Sequence, residues 1–217
     1  MISIIILSGK NQVLTNVDSC PVSHEVIIEK SRGLGFARDL GAQKSKGDLI
    51  VMFDDDLKLN PKIWDFILNL KGGEFALATK YHRVSSQVFA VHISDYAAVG
   101  GFDPEIRYVF EDGDFYLRAL RMGLTCKIIP TKYYAHIPHR LREQNRFLGI
   151  KYNWEFTKFI VKYKRECIQS PVGQKPENLI THDFFNYFIR PFDYRITPFQ
   201  VVTKIIGLIY WVLHGVD

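Results

Sequence analysis

The sequence predicts an α/β protein built on a mostly parallel sheet, and two features carry that prediction. Short apolar runs, typical of strands buried on both faces, alternate with glycine-terminated stretches typical of helices. One apolar run, residues 49–53, ends in three consecutive aspartates. Because ligands bind at the carboxyl ends of strands in open α/β sheets, these aspartates mark the expected site.

The elements follow in order along the chain. Strands are predicted over residues 2–7, 24–30, 49–53, 74–81, 86–94, 124–130 and 132–140. A first helix follows a glycine turn at Gly33 and stops at Gly47, and a second begins at Asn60-Pro61, where asparagine suits the cap and proline the first position. A third helix begins at Glu111 and ends in a basic turn before Gly123.

Length and composition are those of a globular chain with a sizeable core. It has 217 residues, 47% of them hydrophobic, which excludes a disordered protein. Cys20, Cys126 and Cys167 lie far apart and lack metal-ligand spacing, so we expect reduced thiols in a cytoplasmic protein. The apolar N-terminus lacks a basic leader and a cleavage site, and we expect it to be a strand and not a signal peptide.

Positive charge is concentrated in the last third of the chain. Residues 139–217 contain 12 basic and 7 acidic residues, and aromatic residues are interleaved with the basic ones. This mixture suits an anionic surface such as lipid headgroups or nucleic acid, although the solvated face of an amphipathic helix gives the same pattern. The apolar part of residues 197–215 is too short to span a bilayer. We expect one α/β domain over residues 1–140 and a helical region over 141–217 that packs on it or docks peripherally on the inner face of the cell membrane.

Acidic residues and one histidine are the candidate functional groups. The aspartates after Phe53 repel one another, and a divalent cation would neutralise them, since Lys58 is the only positive charge nearby in sequence. The carboxylates at the start of the third helix suit either the helix dipole or catalysis. His136, at a strand end, suits either a structural role or a metal. Gly33-x-Gly35 lacks the third glycine of a dinucleotide fingerprint.

Three segments in this order resemble family 2 of the inverting glycosyltransferases, which have the GT-A fold. They are SRGLGFARDLGAQKSKGDLIVMFDDD, VGGFDPEIRYVFEDGDFYLRALRMG and a strand ending at His136. The resemblance covers roughly residues 1–140 and implies that they form the nucleotide-sugar-binding and catalytic domain, with residues 141–217 completing the acceptor side or docking on a membrane. The resemblance implies a nucleotide-diphosphate sugar donor, Mn²⁺ or Mg²⁺, and transfer to a glycan or lipid-linked acceptor with inversion. We do not expect nucleic acid as a partner.

The resemblance also assigns roles to residues. Asp54 and Asp56 form the DxD pair, with Asp56 a metal ligand and Asp54 a ligand of the metal or the ribose. His136 is the late metal ligand, with His139 as a substitute. Glu111-Asp112 supplies the catalytic base. The implied donor-binding residues are Ser8, Glu29, Gly33, Arg38, Asp54 and Asp55, of which Asp55 also suits a purely structural role. The implied acceptor side consists of Gly100, Gly101, Phe102 and Asp114.

The chain departs from the family pattern in two places. Only one strand fits between the first strand and Gly33, so the usual base-reading loop is missing and Glu29 is the candidate for its task. Asp39 replaces the usual asparagine. A nucleotidyltransferase acting on sugar phosphates, and a non-catalytic membrane-docking protein of GT-A type, remain alternatives. The first normally has a lysine-rich signature beside its glycines, and the second tolerates loss of the acidic residues.

Overall fold

The computed structural model describes residues 1–9, 13–31, 33–80, 83–106, 110–137 and 162. Nearly all of these belong to one compact unit, Met1–Arg107 with Glu111–Arg140. Apart from Lys162, the predicted helical region 141–217 lies outside the described residues, as does His139.

The unit is organised around a six-stranded sheet in the order β2-β1-β3-β6-β5-β7. The strands are β1 (Ile2–Leu7), β2 (His24–Glu29), β3 (Leu49–Asp54), β5 (Glu74–Lys80), β6 (Arg83–His92) and β7 (Thr125–Ile128). Three of the five pairings are parallel, and β6 runs antiparallel to both of its neighbours. The prediction of a mostly parallel sheet is therefore confirmed.

A second, two-stranded antiparallel sheet pairs β4 (Leu57–Leu59) with β8 (Tyr134–His136). A 3₁₀ helix, Thr131–Tyr133, leads into β8. In the described residues the helices are α1 (Leu34–Lys44), α2 (Lys62–Leu68), α3 (Ile93–Val99) and α4 (Glu111–Arg121).

The large sheet is covered by helices on both faces, because its central strands are apolar at nearly every position. Along β1, Ile4 and Ile6 pack on the face covered by α2, whose Trp64 is almost completely buried. Ile5 points to the opposite face, where a Cβ added at Gly41 of α1 would lie 2.5 Å from its Cγ2. On this second face, Phe89 of β6 packs edge-on against Phe115 of α4.

Three elements were not predicted: β4, α3 and the 3₁₀ helix Thr131–Tyr133, which occupies the start of the predicted strand 132–140. β4 is only three residues long and forms only by pairing with β8, which is distant in sequence. α3 follows β6 without a loop, so its seven residues continue an apolar pattern that the sequence presents as a strand running to residue 94. In the part of the chain that the structure describes, no helix is both long and apolar enough to cross a membrane.

Candidate active site

The candidate site lies at the carboxyl edge of β1 and β3. Because β6 is antiparallel to β3, its first residues lie at this same edge, and Phe53 pairs with Val88. Ser86 and Gln87, just before Val88, are therefore buried polar residues beside the aspartates. The first turn of α4 approaches the same place, since the Asp112 Oδ2 atom accepts a hydrogen bond from the Ser86 amide at 3.2 Å.

Arg38, in α1, is the centre of the polar group at this edge. Its side chain is only 1% exposed, and Nη1 donates to Glu111 Oε1 at 2.7 Å. Nη2 lies 3.7 Å from Asp54 Oδ1 and 3.4 Å from the Ser86 carbonyl oxygen. The guanidinium also stands over the Phe102 ring, 5.4 Å from its centroid. One buried cation thus links the end of β3 to the start of α4.

The two carboxylates that begin α4 differ in their accessibility. Glu111 is 3% exposed and bound to Arg38. Burial, together with the neighbouring Asp112 carboxylate, raises the pKa of Glu111 to about 7. Asp112 is only partly buried, and its Oδ1 accepts from the Gly113 amide at 2.8 Å. Burial also raises the pKa of Asp112, so the more accessible carboxylate is a stronger base than an ordinary aspartate.

Negative charge exceeds positive charge in this group. Arg38 faces three carboxylates, those of Asp54, Glu111 and Asp112, and burial raises the pKa of Asp54 although Arg38 opposes that shift. Carboxylates held close together and partly shielded from water favour the binding of a proton or a cation.

Asp56 and His136 form a second polar pair across β4 and β8. Asp56 Oδ1 and His136 Nδ1 are 3.3 Å apart, and His136 Nε2 is 2.5 Å from Gln87 Oε1. An amide oxygen only accepts hydrogen bonds, so Nε2 carries hydrogen and Nδ1 is the nitrogen that faces Asp56. This arrangement, in which a histidine is oriented through its other ring nitrogen, is characteristic of metal ligands.

The Asp56–His136 pair fits a small divalent cation. Two adjacent ligands of an octahedral ion with bonds of about 2.1 Å lie about 3 Å apart, close to the observed separation. Among the described residues, however, no three His, Cys, Asp or Glu side chains are grouped closely enough to hold a metal by themselves. The structure thus brings together two of the three predicted ligands, while Asp54 faces Arg38, and a cation here would need further ligands such as donor phosphates.

Asp55 and Ser8 hold the aspartate turn in place. Ser8 is buried, and its hydroxyl donates to Asp55 Oδ2 at 2.8 Å. The Asp55 carbonyl accepts from the Leu14 and Thr15 amides, and the Thr15 hydroxyl bonds to the Asp54 carbonyl at 2.7 Å. These contacts correspond to the structural role that the sequence allowed for Asp55.

Glu29 lies at the end of β2, and both of its carboxylate oxygens are already bound by other residues of the chain. Lys44 Nζ is 2.5 Å from Oε2, and the amide and hydroxyl of Ser31 both donate to Oε1. Although burial opposes ionisation, these hydrogen bonds lower the pKa of Glu29 to about 2. The structure gives Glu29 a role in joining β2 to α1, whose first residue follows Gly33 at φ 94°.

The turn after α3 is fixed from two sides. Gly100 and Gly101 have φ of 84° and 66°, values that side chains other than glycine rarely adopt. Asp39 Oδ1 accepts hydrogen bonds from the Phe102 amide at 2.9 Å and from the Tyr96 hydroxyl. From the other side, Arg118 donates to the carbonyls of Val99 and Gly101, each at 2.6 Å.

Two residues predicted for the acceptor side are not at the surface. Phe102 and Asp114 are both completely buried. The Phe102 ring belongs to an aromatic cluster with Phe89 and Phe115, and Asp114 accepts from Arg118 Nε at 2.8 Å. They support the glycine turn from within the core and cannot touch an acceptor directly, so this part of the prediction is corrected.

Sequence reasoning missed Ser86 and Gln87. Both are polar residues that immediately precede the apolar run of residues 88–91, and that signal is visible in the sequence. It could not be interpreted there, because only the antiparallel direction of β6 brings these residues to the aspartates.

Comparisons with known proteins bear on the fold. No protein-family model and no curated protein matches the chain. Among solved structures, the catalytic domain of Drosophila β1,4-galactosyltransferase 7 in complex with xylobiose is similar to it with a TM-score of 0.51 and 15% identity, over 67% of this chain and 75% of the other.

Two further structures are similar over the whole chain. The mannosyltransferase from Pyrobaculum calidifontis, solved with GDP-Man and Mn²⁺, has a TM-score of 0.55 and 11% identity, with 76% of its length covered. TarS from S. aureus has a TM-score of 0.61 and 9% identity, with 49% of its length covered. At such low identity these likenesses concern the fold alone: the chain has the GT-A fold that glycosyltransferases share.

Proposed function

We propose that the protein is a metal-dependent, inverting glycosyltransferase that moves a sugar from a nucleotide-diphosphate donor to the hydroxyl of a saccharide acceptor, free or lipid-linked. The observation that carries the proposal is the Arg38 group. Arg38 joins Asp54, at the end of a central strand, to Glu111, and the next residue, Asp112, is a partly exposed carboxylate with a raised pKa. Asp56, which pairs with His136, follows Asp54 by two residues.

The donor side of the reaction needs positive charge. As the bond between the sugar and the diphosphate breaks, negative charge develops on the leaving group. A divalent cation, when bound, supplies the compensating charge. Asp56 and His136 are the residues that would hold it, and Gln87 orients the His136 ring for that purpose.

The acceptor side needs a base. Asp112 takes the proton of the acceptor hydroxyl. At the same time the acceptor oxygen forms the new bond to the anomeric carbon, and the bond from that carbon to the diphosphate breaks. Each carboxylate oxygen of Asp112 accepts one backbone N–H, which fixes its orientation and leaves lone pairs for the proton.

Inversion is supported by the state of Glu111. A retaining double displacement needs a second carboxylate free to attack the sugar. Glu111 is buried and bound to Arg38, so its task is to hold Arg38 and through it Asp54. A single direct displacement assisted by Asp112 gives inversion.

The test is transfer from a panel of nucleotide sugars with Mn²⁺, with products identified by mass and anomeric configuration by NMR. Asp112→Asn should lower kcat at least about 100-fold, since general-base catalysis contributes about 10²–10⁴. Asp56→Ala should abolish the transfer that Mn²⁺ supports. Asp65→Asn, which changes an exposed aspartate of α2, is the matched control and should retain full activity.

The products also separate the alternatives. Glycosyl transfer releases a nucleoside diphosphate, whereas a nucleotidyltransferase releases or consumes pyrophosphate. Unchanged transfer in both Asp112→Asn and Asp56→Ala would refute the proposed mechanism, and a product with retained configuration would refute inversion.

A further inference from the structure

A pair of adjoining cavities flanks β4, next to the candidate site. One lies on the side of residues 14–19 and the other is formed by β4, the start of α2, the 3₁₀ helix and β8. The second cavity, here called the lysine cavity, is about 530 Å³ and is lined by Lys58, Asn60, Thr131, Lys132 and Tyr133 among others. Its size is within the range of about 300–1,000 Å³ typical of small-ligand sites.

Charge in the lysine cavity is of one sign. Lys58 and Lys132 come from different elements, and both side chains are exposed. None of the residues that line the cavity is acidic, and no described carboxylate forms an ion pair with either lysine. Lys58, the only basic residue near the aspartates in sequence, lines this cavity.

An aromatic ring lies beside the Lys132 ammonium group. Lys132 Nζ is 5.4 Å from the centroid of the Tyr133 ring. That ring is held by Phe66 of α2, at 6.5 Å between centroids, and the Tyr133 carbonyl accepts from the Asn60 amide at 2.8 Å. Tyr133 is therefore held through its backbone by Asn60 and through its ring by Phe66.

We propose that the lysine cavity binds an anionic saccharide. Lys58 and Lys132 bind its carboxylate or phosphate, and the Tyr133 ring packs against the apolar face of the sugar. Asn60 and Thr131 are available for its hydroxyl groups. β8 ends at His136 and β4 begins directly after Asp56, so the cavity adjoins the Asp56–His136 pair. Its use as an acceptor subsite rests on the proposed function, whereas binding itself does not.

The test measures binding without donor or metal, by calorimetry on the full chain. Tetragalacturonate is the probe, and its fully methyl-esterified form is the same saccharide without charge. Lys58→Gln and Lys132→Gln should each weaken tetragalacturonate binding about fivefold, whereas Lys58→Arg should retain it. Lys71→Gln, which changes an exposed lysine outside the cavity, is the matched control and should bind as wild type. The methyl ester and inorganic phosphate should each bind at least about tenfold more weakly than tetragalacturonate.

Equal affinity of the wild type and the Lys58→Gln/Lys132→Gln double variant would overturn the proposal. Equal affinity for tetragalacturonate and its ester would also overturn the proposal. If inorganic phosphate binds as tightly as tetragalacturonate, the cavity is an anion site and does not recognise a saccharide. Because no step requires catalysis, a chain that binds tetragalacturonate but transfers no sugar would leave this site standing and refute only the proposed function.

Discussion

At the scale of single residues, the buried Arg38–Glu111 pair governs how the site responds to pH. Breaking a buried ion pair by removing one partner typically costs about 3–5 kcal/mol, because the other charge is left uncompensated. Glu111 is also crowded by Asp112, which explains why its pKa rises to about 7 despite the Arg38 contact. The pair therefore orients the site while giving little net stability.

A pH dependence of stability follows from this pKa. An unperturbed glutamate has a pKa of 4.5, the value expected in the unfolded chain, so between pH 4.5 and about 7 the folded protein binds more protons than the unfolded one. The contribution of Glu111 to the free energy of unfolding should therefore fall as pH rises through this range. Urea denaturation at several pH values measures it, and Glu111→Gln should flatten the slope.

The matched control for this prediction is Glu105→Gln, which changes an exposed glutamate and should leave the slope as in the wild type. If Glu111→Gln and the wild type have the same pH slope, Glu111 does not titrate in this range and the assignment of its raised pKa is wrong.

At the scale of elements, the turn between α3 and α4 depends on glycine for space as well as for conformation. A Cβ at Gly101 would lie 2.6 Å from Asp39 Oδ1, and φ is 66° there. Gly101→Ala should destabilise the protein by about 2–4 kcal/mol, since left-handed backbone strain is added to displacement of the Asp39 carboxylate. Chemical denaturation measures the loss.

Gly123 provides a control for the strain alone. Its φ is 84°, but an added Cβ would meet no atom within 4 Å. Gly123→Ala should cost only about 1–2 kcal/mol. Equal losses for the two variants would mean that Asp39 moves aside freely and does not fix the turn.

The antiparallel direction of β6 also determines which residues reach the site. A parallel β6 would carry Ser86 and Gln87 to the opposite edge of the sheet, away from the aspartates. The observed antiparallel strand brings the Ser86 amide to Asp112 and the Gln87 side chain to His136. The direction of this one strand thus supplies contacts both to the proposed base, Asp112, and to His136 of the proposed cation site.

At the scale of the whole molecule, binding of a donor nucleotide should stabilise the fold. A ligand present at 100 times its Kd adds about 2.7 kcal/mol, which raises Tm by about 5–10 °C for a protein of this size. We expect this rise with Mn²⁺ and one of UDP, GDP or CDP in a thermal-shift measurement, and its loss on adding a chelator.

In Asp56→Ala the part of the rise that depends on Mn²⁺ should vanish, whereas Asp65→Asn should keep it. A rise that is the same with and without Mn²⁺ would contradict the assignment of Asp56 and His136 to a cation.

The sequence by itself determined the α/β class, the edge of the sheet where the aspartates lie and the acidic start of α4. These are local properties, since continuous apolar runs, caps and helix-start carboxylates act within one element. The tertiary structure alone decided which carboxylate is accessible, that Asp54 faces Arg38 while Asp56 faces His136, and that Phe102 and Asp114 are buried. Those outcomes depend on strand direction and on charges far apart in sequence, which meet only when the sheet has formed.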